Sequence, residues 1–317
     1  MSISVHNLTK YYGREKAVAD ISFEVKTGEI LGFLGPNGAG KTTTMKIVTC
    51  YMPPSSGTVE VDGYNIFDRS MEVRRKIGYL PENNPLYLDM NVVEYLDYAA
   101  RLHGMNGEAI SQRLKLMVDV CGLGGVRHKD IGELSKGYRQ RVGLAQAMIH
   151  DPEMLILDEP TSGLDPNQIV EIRKLIKDIG EKKTVILSTH ILSEVQATCD
   201  RVIIINEGTI VADGTPEKLQ QEFRGAEAIT VEIKSSEPAD AVVAKLKSLA
   251  GVDTVERSGA SGHTHSFTLM TAKGSDVREE LFNRAVAERW VLLELTRKGT
   301  SLEEVFHKLT RAEGGSA

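Results

Sequence analysis

The sequence predicts an α/β fold, a mainly parallel sheet covered by helices, with a smaller α+β unit behind it. Three observations carry this reading. Met154-Leu155-Ile156-Leu157-Asp158-Glu159 is a short apolar run closed by two carboxylates. A bounded run of that length reads as a strand, and apolar residues on both of its faces place it in a sheet covered on both sides. Near the start, Ile30–Leu34, a Gly-rich loop and a stretch from Lys41 to Cys50 without Pro or Gly read as strand, loop and helix. After about residue 224 the rhythm changes to βαββαβ, the order of a ferredoxin-like unit. The expected division is therefore 1–224 and 225–317.

Residues 3–80 hold the opening strands and the first loop. Gly35-Pro36-Asn37-Gly38-Ala39-Gly40-Lys41-Thr42 fits G-x-x-x-x-G-K-[ST] without a mismatch, and Thr43 continues it into the helix. Such glycines let the backbone turn tightly and aim its N–H groups at phosphate oxygens. The helix N-terminus adds partial positive charge at the same place. Lys41 is then expected to reach the β- and γ-phosphates and the Thr42 hydroxyl to ligate magnesium. The flanking strand and helix are the context this motif requires, which makes the chain a P-loop NTPase in expectation.

Next comes a helical subdomain at about 85–130, where Asn91 to Val126 shows apolar residues at helical spacing. Ser135 and Gly137 then open a helix running to Met148, and their N–H groups with the Ser135 hydroxyl could cradle a phosphate. The strand ending at Asp158-Glu159 follows. Chemistry in parallel sheets sits at the carboxyl ends of strands, so one carboxylate can hold a metal ion and the other can poise a water. Pro160 directly after them also fits a turn that the pair would cap. A helix from Val170 to Lys182 precedes a strand at Thr184–Leu187, and this βαβ alternation implies a parallel sheet.

In the last hundred residues, Ile229–Ile233 alternates as a half-buried strand should, and Pro238 opens a helix to Leu249. Strands at Val252–Val255 and Ser266–Leu269 flank a Gly/Ser-rich turn at 258–262. A helix at Asp276–Glu288, a strand at Trp290–Leu295 and a short helix at Ser301–Leu309 complete the unit. His263 and His265 flank a threonine in that turn and read as solvated loop residues rather than as a metal site. No catalytic constellation stands out here.

Composition narrows the function classes. Lys+Arg total 38 against Asp+Glu 44, a net charge of −6, so the basic footprint of a nucleic-acid partner is missing. Cys50, Cys121 and Cys199 lack zinc or redox spacing and read as reduced packing residues. No apolar run approaches the roughly 18 residues of a membrane span, and the start has no signal-peptide architecture. A cytoplasmic protein is expected.

From Ile3 to Arg224 the chain resembles the ATP-binding subunits of ABC transporters. Leu134-Ser135-Lys136-Gly137-Tyr138 stands where that family carries its LSGGQ signature, Asp158-Glu159 ends its acidic strand, Ser162-Gly163-Leu164-Asp165 matches its D-loop, and His190 in Ser188-Thr189-His190 matches its switch histidine. Tyr12 matches the aromatic that stacks on adenine, with Tyr11 as the neighbouring alternative. The resemblance implies ATP and Mg²⁺ as ligands, with Thr42, Glu82 and Asp158 as oxygen ligands of the metal. It further implies Glu159 as the group that orients or deprotonates water, His190 as the γ-phosphate sensor, and Ser135, Gly137 and Asp165 as contacts made across a dimer of two such subunits. Two identical chains would meet in a two-fold arrangement. A membrane-spanning permease on a separate chain would dock near residues 82–130, holding the protein peripherally at the inner face of the membrane.

Three positions depart from the family pattern. Lys136 replaces the third-position glycine of the signature and Tyr138 its glutamine. Glu82, in Ile77-Gly78-Tyr79-Leu80-Pro81-Glu82, replaces the usual Q-loop glutamine; an ionised glutamate only accepts hydrogen bonds, whereas glutamine also donates. The run Ile77–Met90 is similar to exporter-type subunits of bacteria, among them the gliding-motility ABC ATPases. The alternative is a soluble ABC ATPase acting on a macromolecular complex such as the ribosome, or on DNA. Those acting on the ribosome usually carry two cassettes in one chain, whereas one is present here. A non-hydrolysing switch is opposed by the intact Lys41, Asp158 and Glu159.

Overall fold

In the computed structural model, residues 2–222, 227–261, 264–272, 275–298 and 302–310 are described. The described residues fall into two units, one of residues 2–216 with 309–310 and a second within 217–308. The expected boundary at 224/225, Gly262 and His263 of the expected turn, and Ser301 lie outside the described residues.

The first unit begins with β1 (Ile3–Tyr12) and β2 (Glu15–Val25), then β3 (Ile30–Leu34) and α1 (Lys41–Val48). β4 (Ser56–Val61), β5 (Tyr64–Asn65), α2 (Ser70–Lys76) and β6 (Ile77–Leu80) follow, and then α3 (Val92–Leu102) and α4 (Gly107–Val120). After these come α5 (Lys136–Met148), β7 (Met154–Asp158), α6 (Pro166–Gly180), β8 (Thr184–Thr189), α7 (Leu192–Thr198), β9 (Arg201–Asn206) and β10 (Thr209–Gly214). As the sequence predicts, the central sheet is mainly parallel: six strands in the order β10-β9-β3-β8-β7-β6, with only the β9–β10 pair antiparallel. A four-stranded antiparallel sheet, β2-β1-β4-β5, lies beside it.

The two sheets close on one core. Val5, Leu8, Val25, Val59 and Val61 from the antiparallel sheet pack with Leu31, Phe33, Ile156, Ile186 and Ile203 from the parallel one, with Met45 and Ile47 of α1 among them. β3 and β7 are buried along their whole length, which is why both read as unbroken apolar runs rather than alternating ones. Burying each such Leu, Ile or Phe side chain contributes about 1.5–3 kcal/mol. α3 starts at a capping box: Asn91 Oδ1 accepts from Glu94 N–H at 3.0 Å and the Glu94 carboxylate accepts from Asn91 N–H at 3.2 Å.

This topology positions the site. Leu34 pairs with Thr189, Asp158 with Ser188, and Leu80 with Leu157. The strands run in the same direction, so the loops after β3, β7, β8 and β6 leave from the same edge of the sheet.

The second unit takes in α8 (Pro216–Glu222) from residue 217, then β11 (Glu227–Lys234), α9 (Ala239–Lys247), β12 (Val252–Ser261), β13 (Thr264–Thr271), α10 (Arg278–Ala287), β14 (Val291–Lys298) and α11 (Leu302–Thr310) as far as residue 308. Its sheet is antiparallel in the order β12-β13-β11-β14, the ferredoxin-like arrangement. Ile229, Val231, Ile233, Phe267 and Leu269 from the sheet meet Val242, Leu246 and Leu281 from the helices. Two expectations fail here. The Gly/Ser-rich stretch from Ser258 is part of a long strand, because pairing continues through Gly259↔Ser266 to Ser261↔Thr264. His265 is not a solvated loop residue: it lies within β13, 8% exposed, beside Phe267. Its alternation with Phe267 and Leu269 puts it on the face turned to the core. Among the described residues there is no cluster of three or more metal-ligating side chains, and no helix is long and apolar enough to cross a membrane.

Candidate active site

The loop after β3 requires glycine at two positions, Gly35 and Gly40. A Cβ on Gly35 would lie 2.4 Å from the Ile205 carbonyl oxygen, and one on Gly40 2.4 Å from that of Ala17. Gly40 also has φ +104°, a left-handed backbone that glycine adopts without strain. It is the N-cap of α1, where no side chain caps the helix and the first turn carries no acid. The first N–H groups of α1 thus face outward beside Lys41, a geometry that suits an anion.

Lys41 is 5% exposed. Its ammonium donates to the Gly35 carbonyl at 2.8 Å and the Pro36 carbonyl at 3.2 Å, and lies 3.4 Å from Glu159 Oε1. The other Glu159 oxygen is 2.8 Å from His190 Nδ1. Lys41, Glu159 and His190, which lie far apart in sequence, therefore meet at one carboxylate. A cavity of about 310 Å³ opens over them, lined also by Asn37, Thr43 and Ser162. Thr42 and Glu82 border it as well as a neighbouring groove of about 680 Å³ that reaches Asp158.

The acidic pair is divided by its backbone. Asp158 is the last residue of β7, whereas Glu159 has left the strand in a left-handed conformation, φ +49°. A non-glycine residue there costs about 1–3 kcal/mol and persists only when its surroundings hold it. Here the Glu159 N–H donates to both the carbonyl and the hydroxyl oxygen of Ser188, at 3.1 Å each. The kink turns Glu159 towards Lys41 while Asp158 reaches across to Ser188 on β8. Ser188 Oγ in turn donates to Asp158 Oδ1 at 2.5 Å. Asp158 Oδ2 is buried without a hydrogen-bond partner, an expensive condition unless a cation completes it. Two carboxylates and a hydroxyl, from Asp158, Glu82 and Thr42, form an all-oxygen donor set of the kind a hard divalent cation takes.

The remaining expected positions lie elsewhere on the unit. Ser135 caps α5, accepting from Tyr138 N–H at 3.4 Å. Gly137 packs so tightly against Gln168 that a Cβ would fall 2.6 Å from its amide carbon, and a Cβ on Gly163 would fall 2.1 Å from Lys136 Nζ. The signature thus leans on the D-loop and α6 of its own chain, and Ser135 and Gly137 do not line the Lys41 cavity. The Asp165 carboxylate caps α6, accepting from the N–H groups of Asn167 and Gln168 at 3.0 Å each. Tyr12 is 47% exposed and its hydroxyl lies 3.2 Å from Met52 Sδ; Tyr11 is similarly open. Sequence reasoning overlooked Ser188 and Ala17. Ser188 stood inside the quoted Ser-Thr-His run, but nothing in a single sequence assigns a hydroxyl to a neighbouring strand's carboxylate. Ala17 acts through its carbonyl, which leaves no trace in sequence.

The ABC transporter family model matches residues 18–162. The chain is 39% identical over 220 residues to the ABC transporter ATP-binding protein YxlF of Bacillus subtilis, spanning 69% of this chain and 73% of that one. It is 31% identical over 312 residues to Nod factor export ATP-binding protein I of Cupriavidus metallidurans, spanning 98% of each. Among solved structures, the dimeric post-hydrolysis state of the ATP-binding cassette MJ0796 bound to ADP and Pi matches with a TM-score of 0.62 at 26% identity, covering 67% of this chain and 98% of that chain.

Proposed function

The chain belongs to the ABC transporter ATP-binding proteins, the ATPases that power a separate permease, and from that premise we propose how its own residues do this work. The triphosphate lies along Gly35–Thr43, with Lys41 on its β- and γ-phosphates. Lys41 is held by two carbonyls, so its charge is placed before the nucleotide arrives, and such preorganised charge contributes most where charge develops. Glu159, kinked towards the same point, orients and deprotonates the attacking water. His190, hydrogen-bonded to Glu159, fixes that carboxylate and contacts the γ-phosphate. Asp158, Thr42 and Glu82 would hold magnesium. When bound, the ion supplies neutralisation of charge on the phosphate oxygens.

Ser135 and Gly137 do not line the Lys41 cavity of their own chain, which suits contacts to the nucleotide of a second copy across a two-fold interface. The groove between Glu82 and α3, lined by Tyr79, Pro85, Tyr95 and His103, suits a helix of a membrane-spanning export subunit. We assign this partner's substrate flow to export because a relative matched over nearly the full chain carries an export name. The protein then works at the inner face of the membrane.

The meeting of Lys41 and His190 on the Glu159 carboxylate carries this reading. Glu159→Gln keeps the shape and removes the base, so ATP turnover in purified protein should fall by about 10² to 10⁴-fold while Mg·ATP still binds. Unchanged turnover would remove Glu159 from the role.

A further inference from the structure

A second buried carboxylate stands behind the site. Glu194, on α7, is 1% exposed. Its Oε1 accepts from Thr161 Oγ1 at 2.5 Å and its Oε2 from Thr189 Oγ1 at 2.7 Å. Thr161 is 2% exposed and Thr189 0%, so both bonds are shielded from water. Thr189 Oγ1 also accepts from the Ile191 N–H at 3.0 Å, which leaves its single proton for Glu194.

These bonds close a ring. Glu159 continues through Pro160 to Thr161; Thr161 bonds to Glu194; Glu194 bonds to Thr189; Thr189 is joined to His190; and His190 Nδ1 returns to Glu159 Oε2 at 2.8 Å. The catalytic carboxylate and its histidine sit on two different loops, and Glu194 joins Ser188 in tying the roots of those loops together. We propose that Glu194 is a positioning residue for ATP hydrolysis. It holds the 159–161 and 189–191 segments in one register, so that Glu159 keeps its left-handed kink and meets both Lys41 and His190. The same ring couples the His190 end to Thr161, the residue that leads into the Ser162–Asp165 loop, so a shift of one loop is passed to the other through Glu194.

The proposal rests on Glu159 being the water-orienting group, and the test separates the two. Glu194→Gln retains volume but cannot accept from both hydroxyls without turning an amide N–H towards one of them. Thr161→Val removes the hydroxyl at constant shape, and Thr161→Ser restores it. Neither variant touches Gly35–Thr43. The expected result is a fall in kcat of about tenfold or more for Glu194→Gln and for Thr161→Val, with KM for ATP within about twofold, recovery in Thr161→Ser, and a double variant no worse than the poorer single one, because both break the same link. A kcat within twofold of the unaltered protein in both variants, a loss that Thr161→Ser does not restore, or strictly additive losses would overturn the positioning role. If Glu159→Gln is inactive while Thr161→Val is fully active, only Glu194 loses its part. If Glu159→Gln itself turns over normally, the reading beneath it falls.

Discussion

Two of the three sheets, the parallel one and that of the second unit, bury different things. At the carboxyl edge of the parallel sheet, Lys41, Asp158, Glu159, Ser188, Thr189 and Glu194 are all within 6% of full burial. Asp158 retains an unpartnered oxygen and Glu159 an unfavourable backbone angle. The antiparallel sheet of the second unit buries Ile229, Val231, Ile233, Phe267 and Leu269 on its covered face, with His265 and Thr271 as its buried polar exceptions. Burying charge costs stability unless each group is paired or awaits a ligand. The first region therefore gathers buried charged groups around one point, whereas the second buries mainly apolar side chains, with the polar atoms Thr230 Oγ1, His265 Nδ1 and Trp290 Nε1 left without hydrogen-bond partners among them.

That contrast can be broken by mutation. Phe267→Ala in the second unit should cost about 3–5 kcal/mol of that unit's stability, the usual range for deleting a buried aromatic ring. ATP turnover per folded molecule should stay within about twofold, as Phe267 lies in the second unit's core cluster and not among the site residues. Thermal unfolding together with a turnover assay would show both; a proportionate loss of turnover in the folded fraction would mean that the second unit takes part in the chemistry.

Acid should separate the two regions more finely. His150, stacked on His103 with ring centroids 3.7 Å apart, is pushed down to about 4 by burial and by the neighbouring imidazole. The folded value lies below the ordinary value of 6.5, so between the two the unfolded chain binds the proton and the folded chain does not. Stability contributed by the neutral form is present above pH 6.5 and is lost as the pH falls towards 4, by at most about 3 kcal/mol. Asp276 in the second unit behaves differently in range. Its hydrogen bond to Arg278 lowers it from 3.8 to about 2, so its contribution is complete above pH 3.8 and lost only as the pH falls towards 2. Urea midpoints followed against pH should show the cassette weakening first, and His150→Phe, which keeps a ring against His103, should flatten that slope. A slope unchanged in His150→Phe would assign the acid response to another group.

The smallest effect concerns Glu82. Its carboxylate borders both the Lys41 cavity and the groove that reaches Asp158. An amide there can still offer an oxygen to a metal ion, so Glu82→Gln should leave turnover within about tenfold, or about 1.4 kcal/mol in the barrier. A greater loss in a steady-state assay would mean that the negative charge itself is needed.

Much of this contrast is legible in the sequence. The apolar runs of β3 and β7, the glycines before Lys41 and the acidic pair announce a parallel sheet with a phosphate site at its edge, because burial on both faces and a tight backbone turn each demand a narrow set of residues. What remains hidden acts at a distance in the chain. The Glu159 kink depends on Ser188, and Glu194 joins Thr161 to Thr189; these partners lie on neighbouring strands and loops, where no local spacing rule reaches. The extension of β12 to Ser261 was obscured because Ser258, Gly259 and Ser261 are residues that ordinarily favour turns, and here cross-strand pairing with β13 overrides that preference.

The central claim is that one triphosphate is gripped where Lys41 meets Glu159. Calorimetric titration of Mg·ATP into the full chain and into Lys41→Ala tests it most directly. Saturable uptake by the first, weakened by at least about tenfold in the second, is the expected result; equal uptake by both, or none by the unaltered chain, would contradict the account.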